Sequence, residues 1–187
     1  MQSQINSSDV NFVIITPVPN IALVKSTKTN IMGRYPKSSV MVLLPSEEID
    51  HERMKEYNSF CPVYFGGETI TGLMNTAMRV TKKPWNIFIM AGAYVTQDLL
   101  RKYSVFTKST NDVVFPVFIG FNKQGQPVDI YSEFCMSTLN GIMINKELFV
   151  KTGDFQENSM QISKLLWQTE ALTHGANFIP ILGVTIT

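Results

Sequence analysis

An α/β fold with a mixed, mostly parallel central sheet and flanking helices is the class this sequence predicts, and two features predict it. In the first half, short apolar β-branched runs alternate with helical stretches, the pattern of parallel strands covered by helices. In the second half the alternation gives way to two strands around a polar loop, which adds antiparallel pairing.

The elements follow in order. Residues 1–10 are polar and read as a short arm ahead of one domain, 11–187. Phe12 to Thr16 is a buried strand, stopped by Pro17 and Pro19. Ile21 to Met32 is a helix with Asn20 as its N-cap and Gly33 as its stop. Ser39 to Leu44 is a second buried strand. Pro45-Ser-Glu-Glu then opens a polar helical segment through Tyr57. Pro62 to Phe65 is a short strand. Glu68 to Val80 is a helix with Ile70, Leu73, Ala77 and Val80 as its apolar stripe.

Trp85 to Met90 is a third buried strand, and Thr96 caps a helix from Gln97 to Tyr103. Val113 to Phe121 and Pro127 to Tyr131 form a hairpin around Asn122 to Gln126. Lys146 to Thr152 is a short helix ended by Gly153. Ser159 to His174 is a longer one, with Gly175 at the C′ position. Phe178 to Leu182 and Val184 to Thr187 complete the strands.

Composition excludes several function classes. The 187 residues carry 16 Lys+Arg and 15 Asp+Glu, too balanced for a strong electrostatic case for nucleic acid or an acidic membrane. Charged residues are 17% of the chain, below the roughly 25% of soluble domains, so either the fold has unusually little free surface or part of that surface is covered by a protein partner or a second copy. No apolar run is long enough for a membrane span, and the polar start lacks the pattern of a signal peptide. The expected location is cytoplasmic or otherwise intracellular, with a place in a larger particle left open. Cys61, Cys135, His51 and His174 form no metal spacing and no nucleophile pairing.

The order of these elements resembles the GT-A fold of the family-2 glycosyltransferases. Val13-Ile-Ile-Thr-Pro-Val-Pro-Asn20 resembles the opening strand and nucleotide-binding turn. Gly72 to Asn75, running on to Trp85-Asn-Ile-Phe-Ile-Met90, resembles the helix and strand that lead to the metal motif. Asn140 to Phe155 is similar to the acceptor-side small helix with its glycine–phenylalanine end. Leu165 to Pro180 resembles the helix and strand that follow. The resemblance implies a nucleotide-binding half, 11–110, and an acceptor-side half, 111–187.

It also locates what is missing. Where the family holds its nucleotide with an aspartate after the second strand, this chain reads Leu43-Leu-Pro-Ser46, with Glu47 and Glu48 slightly later. The Asp-x-Asp metal motif is replaced by Met90-Ala91-Gly92. The family's acidic base, counted back from Gly175, falls on Ser163-Lys164. A hard divalent cation needs carboxylate oxygens, and its clamp supplies several kcal/mol of transition-state stabilisation. Loss of a general base adds about 10²–10⁴-fold, for a combined deficit on the order of 10⁵ or more.

Three readings follow. In the first, the chain is a degenerate glycosyltransferase-like domain, a non-catalytic binding or structural module in an oligomer or larger assembly, with no metal and no cofactor. In the second it is a metal-independent transferase of a nucleotide sugar. There Arg79, Lys82 and Lys83 would stabilise the diphosphate, Lys164 would stand at the lost base position, and Asp154 or Glu157 would be the base. Asp98, Asp129 and Glu133 are weaker loop candidates. In the third it is a nucleotide-sugar sensor, with Thr16, Pro17, Asn20 and Ser46 around the base and Gly92 leaving room for the diphosphate. Simpler accounts are a solvated helix end for the cations and a turn or cap for Asp154. Gly66-Gly67-Glu68-Thr69 would present amides to phosphate, but lacks the phosphate-loop spacings, so a tight strand-to-helix turn explains it better.

Overall fold

The structure is a computed structural model that describes residues 5–45, 51–117, 119–121, 127–130, 140–157 and 159–182. Its strands are β1 (Val10–Ile15), β2 (Ser39–Pro45), β3 (Val63–Gly66), β4 (Trp85–Met90), β5 (Asp112–Val117), β6 (Ile119–Phe121), β7 (Pro127–Ile130), β8 (Met143–Asn145) and β9 (Asn177–Leu182). Its helices are α1 (Ile21–Arg34), α2 (His51–Asn58), α3 (Ile70–Val80), α4 (Leu99–Phe106), α5 (Lys146–Thr152) and α6 (Met160–Thr173). Seven strands form one mixed sheet in the order β3-β2-β1-β4-β8-β5-β9. Six run parallel, and only β8 opposes its neighbours. The predicted mixed, mostly parallel sheet is the sheet observed.

Side chains alternate across each strand, so the sheet has two cores. Phe12, Ile14, Val42, Leu44, Ile87 and Ile89 face one cluster, which includes Val24 and Ile31 of α1, Tyr57 of α2 and Leu99, Leu100 and Tyr103 of α4. Val13, Ile15, Leu43 and Phe88 face the other, with Leu73, Met74, Ala77 and Met78 of α3, Leu148 and Phe149 of α5 and Trp167 of α6. The near-continuous apolar runs of the sequence are thus strands buried on both faces.

Several boundaries differ from the sequence expectation. Residues 5–10 are no free arm: Ile5 is buried, Ser7–Asp9 form a 3₁₀ turn and Val10 begins β1. Gly33 does not stop α1, which runs on to Arg34, with the Tyr35 N–H closing on the Ile31 carbonyl. Asn20 does cap this helix, its side chain accepting from Leu23 N. Thr96 is not a cap: α4 starts at Leu99, behind Asp98. Val80 is exposed, and the buried stripe of α3 runs through Leu73, Met74, Ala77 and Met78 instead. The expected hairpin is split, because β5 joins the main sheet and only β6 pairs with β7. Its loop, 122–126, and the final strand-like residues, 184–187, lie outside the described residues. The expected Gly175 at C′ holds, with φ +75°, a conformation that glycine adopts at little cost. Strand β8 was not anticipated.

Candidate functional site

Parallel strands give the sheet two distinct edges, and ligands of open α/β sheets bind outside the carboxyl edge. Here that edge is formed by the ends of β1, β2, β3 and β4, followed by Thr16, Gly67 and Ala91.

Several hydrogen-bonding groups that follow β1 and β4 on this edge are committed within the chain. Thr16 is buried, its hydroxyl donates to the Val18 carbonyl, and its N–H donates to the Leu43 carbonyl. The Asn20 carbonyl oxygen caps α1. After β4 the backbone amides close in series. Met90 N donates to Asn140 Oδ1 at 3.0 Å, Ala91 N to the Ile15 carbonyl and Ala93 N to the Met90 carbonyl. Gly92 N donates to Thr27 Oγ1 and Val95 N to Asn30 Oδ1, both at 2.8 Å. Gly92 has φ +96°, and a Cβ built there would meet Leu23 at 3.5 Å. The turn at the expected metal position is therefore folded onto α1. Asn140, Thr27 and Asn30 are site-shaping residues that sequence reasoning missed. Thr27 was the readable signal: a polar residue at a core-facing position of α1, fully buried.

The cations expected at the diphosphate are on the other side of the sheet. Helix α3 returns antiparallel to the strands, so its last turn and the link into β4 lie at the amino edge. That is about 20 Å from the carboxyl edge, six residues of strand away. Arg79, Lys82 and Lys83 are there. Lys83 Nζ donates to the Ser8 carbonyl at 2.6 Å. Lys82 and Lys83 line an amino-edge cleft of about 350 Å³ with Asn11, Ser39 and Pro62. Helix reversal separates these cations from Gly92, so they form no clamp with it.

Asp154 and Glu157 belong to a strap laid along α3. Asp154 pairs with Arg79, Phe155 binds Asn75 through both backbone groups, and Glu157 reaches Gly72. Positions 72, 75 and 79 share one helix face. Seven residues of helix rise about 10 Å, which three extended residues also span. Asp154 is therefore drawn to the amino edge, away from the carboxyl edge. Glu157 lies at the carboxyl edge, where a methyl at Gly72 or Gly67 would stand 3.2 Å or 3.3 Å from its Oε1. Its carboxylate thus occupies the neighbourhood of the α3 N-terminus, next to the Gly66-Gly67 turn, a favourable place for an anion. Thr69 Oγ1 accepts from Gly72 N and caps that helix.

Lys164 is buried on the inward side of α6, beside the fully buried Ser163. The N-terminal half of α6 points to the carboxyl edge, because β9 follows the helix and runs parallel to β5. Asp98 pairs with Lys102 at 3.1 Å on α4. Ser46 and Glu133 lie outside the described residues. Thr16, Pro17, Asn20, Gly92, Glu157 and Lys164 thus share one edge, while Arg79, Lys83 and Asp154 occupy the other.

Solved structures share this architecture. The mannosyltransferase PcManGT from Pyrobaculum calidifontis, in complex with GDP-Man and Mn²⁺, superposes with a TM-score of 0.66 at 17% identity, over 94% of this chain and 55% of that one. TarS from S. aureus in complex with UDP-GlcNAc gives 0.62 at 14%, over 94% and 57%. The bifunctional IspDF from Campylobacter jejuni gives 0.62 at 13%, over 93% and 49%. The fold is GT-A-like.

The GT-A-like chain spans about half the length of the three solved chains, which for TarS is a fragment, residues 1–349. By sequence, no family model matches it and no curated protein is similar to it. Its Met90-Ala91-Gly92 turn does not fit Mn²⁺: it offers no carboxylate, and its amides are turned into the fold. Among the described residues, no group of three or more His, Cys, Asp or Glu is placed to hold a metal ion. No helix among them is long and apolar enough to cross a membrane.

The exposure of the Asp154 ion pair sets how much it adds to stability. Its ion pair with Arg79 is solvent-exposed on both sides, and such pairs contribute about 0–1 kcal/mol. Asp154→Asn is expected to change unfolding free energy by less than about 1 kcal/mol in urea denaturation.

Proposed function

We propose that this chain is a non-catalytic GT-A-like module, a binding or structural unit that works within an oligomer or larger assembly. One observation carries the reading: the turn after β4 spends the amides of Met90, Ala91, Gly92, Ala93 and Val95 on its own fold. Electrostatic stabilisation of a departing diphosphate needs donors aimed at the ligand, and these donors are aimed elsewhere. The missing acids at positions 90 and 92 point the same way.

A thermal-shift titration with GDP, UDP, GDP-mannose and UDP-GlcNAc, with and without Mn²⁺, tests this. A ligand at about 100 times its Kd adds about 2.7 kcal/mol, worth roughly 5–10 °C for a domain of this size. The expected result is no shift. A Mn²⁺-dependent shift would overturn the proposal and restore a metal-dependent transferase.

A second reading is favoured by the shared fold of the GDP-Man and UDP-GlcNAc complexes. It keeps nucleotide-sugar binding without metal, as a sensor or a metal-independent transferase, with Thr16, Pro17, Asn20 and Gly92 on one side and Lys164 and Glu157 on the other. A metal-independent shift, followed by a donor-hydrolysis assay, would move the assignment to it.

A further inference from the structure

Helix α6 is amphipathic in the inverted sense. At 100° per residue, Ser163, Lys164, Trp167 and Ala171 fall on one side, and all four are buried. The opposite side carries Ile162, Leu165, Leu166, Thr169 and Leu172. Its four aliphatic residues are 48%, 50%, 40% and 55% exposed, in that order. A surface helix normally turns its aliphatic stripe inward and its polar residues to water. Here lysine and serine go inward and isoleucine and leucine go outward. An exposed aliphatic stripe of this kind marks a surface that another surface covers.

We propose that this outer face of α6 is the homodimer interface of the protein, occupied by α6 of a second copy in antiparallel orientation. The inference deepens the module reading and rests on it for the role of the assembly. Three features select a second copy. The stripe itself contains no charged residue, so identical stripes meet without like charges directly opposed. A two-fold axis across the helix at Trp167 sets Ile162 against Leu172 of the second copy and Leu165 against Thr169, so the patch complements itself, as a closed dimer requires. The area points the same way: these four aliphatic residues present roughly 350 Å², about two-thirds of the roughly 500 Å² that the apolar part of an 800 Å² half-interface needs.

Sedimentation equilibrium at tens of micromolar is expected to give twice the 21.1 kDa chain mass. Leu165→Glu/Leu172→Glu is expected to give the monomer, with the far-UV circular dichroism of the parent. Val105→Glu, at an exposed apolar position on α4 across the sheet, is expected to leave the dimer intact. As a check independent of stability, Ile162→Cys/Leu172→Cys is expected to cross-link into a covalent dimer on mild oxidation. A monomeric parent would overturn the proposal, whether the stripe is then covered by another protein or by residues 131–139. A dimer that survives the double glutamate variant, or that Val105→Glu dissociates, would overturn this face as the interface. The nucleotide titration is a separate readout. A Mn²⁺-dependent thermal shift with the dimer intact would overturn the non-catalytic reading and leave the interface standing, while a monomer without any shift would do the reverse.

Discussion

Replacing Asn75 with leucine should lower the stability of the protein by about 3–5 kcal/mol, because two buried backbone groups lose their partners together. Asn75 is 3% exposed, and Phe155, whose N–H and C=O it binds at 2.8 Å and 2.7 Å, is 1% exposed. Neither group of Phe155 has a place in a strand or helix, so the amide side chain stands in for a strand neighbour. Each unsatisfied buried group costs about 1–3 kcal/mol. The Phe155 ring is also stacked on Trp167 at 4.6 Å, so releasing the strap loosens the contact between α3 and α6. For a domain of this length the midpoint of thermal unfolding is expected to fall by roughly 10 °C or more. Calorimetry checks it, and a fall of only 1–2 °C would show that the strap is not held as described.

The second large effect is expected at Asp112. Its carboxylate accepts from Lys108 N at 2.6 Å, Ser109 N at 2.8 Å, Ser109 Oγ at 3.1 Å and Asn177 Nδ2 at 2.9 Å. It ties the loop before β5 to the start of β9. Burial by itself raises the pKa of this carboxyl group, but the bonds from Asn177, Lys108 and Ser109 outweigh that and hold it below the usual aspartate value. A depressed folded-state pKa means that the stabilisation is fully present above the unfolded value of about 3.9, and is lost as pH falls through the folded value. Asp112→Ala is expected to cost about 2–4 kcal/mol at neutral pH, discounted because Lys108 and Ser109 regain water. Below about pH 4 the gap between parent and variant should narrow. Urea denaturation across that range tests the sign, and a gap that widens in acid would refute it.

Much of the fold was readable because burial on both faces leaves a plain mark. The runs at 12–16, 39–44 and 85–90 contain almost nothing but apolar side chains, and each is a strand between two layers. Strand β8 was hidden because it has three residues and runs straight into the cap of α5 at Asn145. What sequence alone conceals is pairing at long separation. Nothing local to Asn75 announces Phe155, eighty positions away. The same holds for Thr27 and Gly92, separated by 65.

The site was legible in what it lacked more than in what it held. Met90 and Gly92 were readable at once as no place for a metal. The position of Arg79 and Lys83 was also within reach, since a helix joining two parallel strands must bring its last turn back to the amino edge. Reading those cations by their distance in sequence from β4, instead of by the direction of α3, put them at the wrong end of the sheet.

The turn after β4 also bears on attempts to engineer a cation site into this scaffold. Writing aspartates into positions 90 and 92 would not by itself build one. A side chain at Gly92 would have to adopt φ +96° against Leu23, a conformation that costs roughly 1–2 kcal/mol for most L-residues. The loop would also stay latched to α1 through Thr27 and Asn30. A designer would first have to remove those two latches and shorten Leu23, and only then add carboxylates. A cation site at this turn therefore depends on a helix whose residues would never touch the ion.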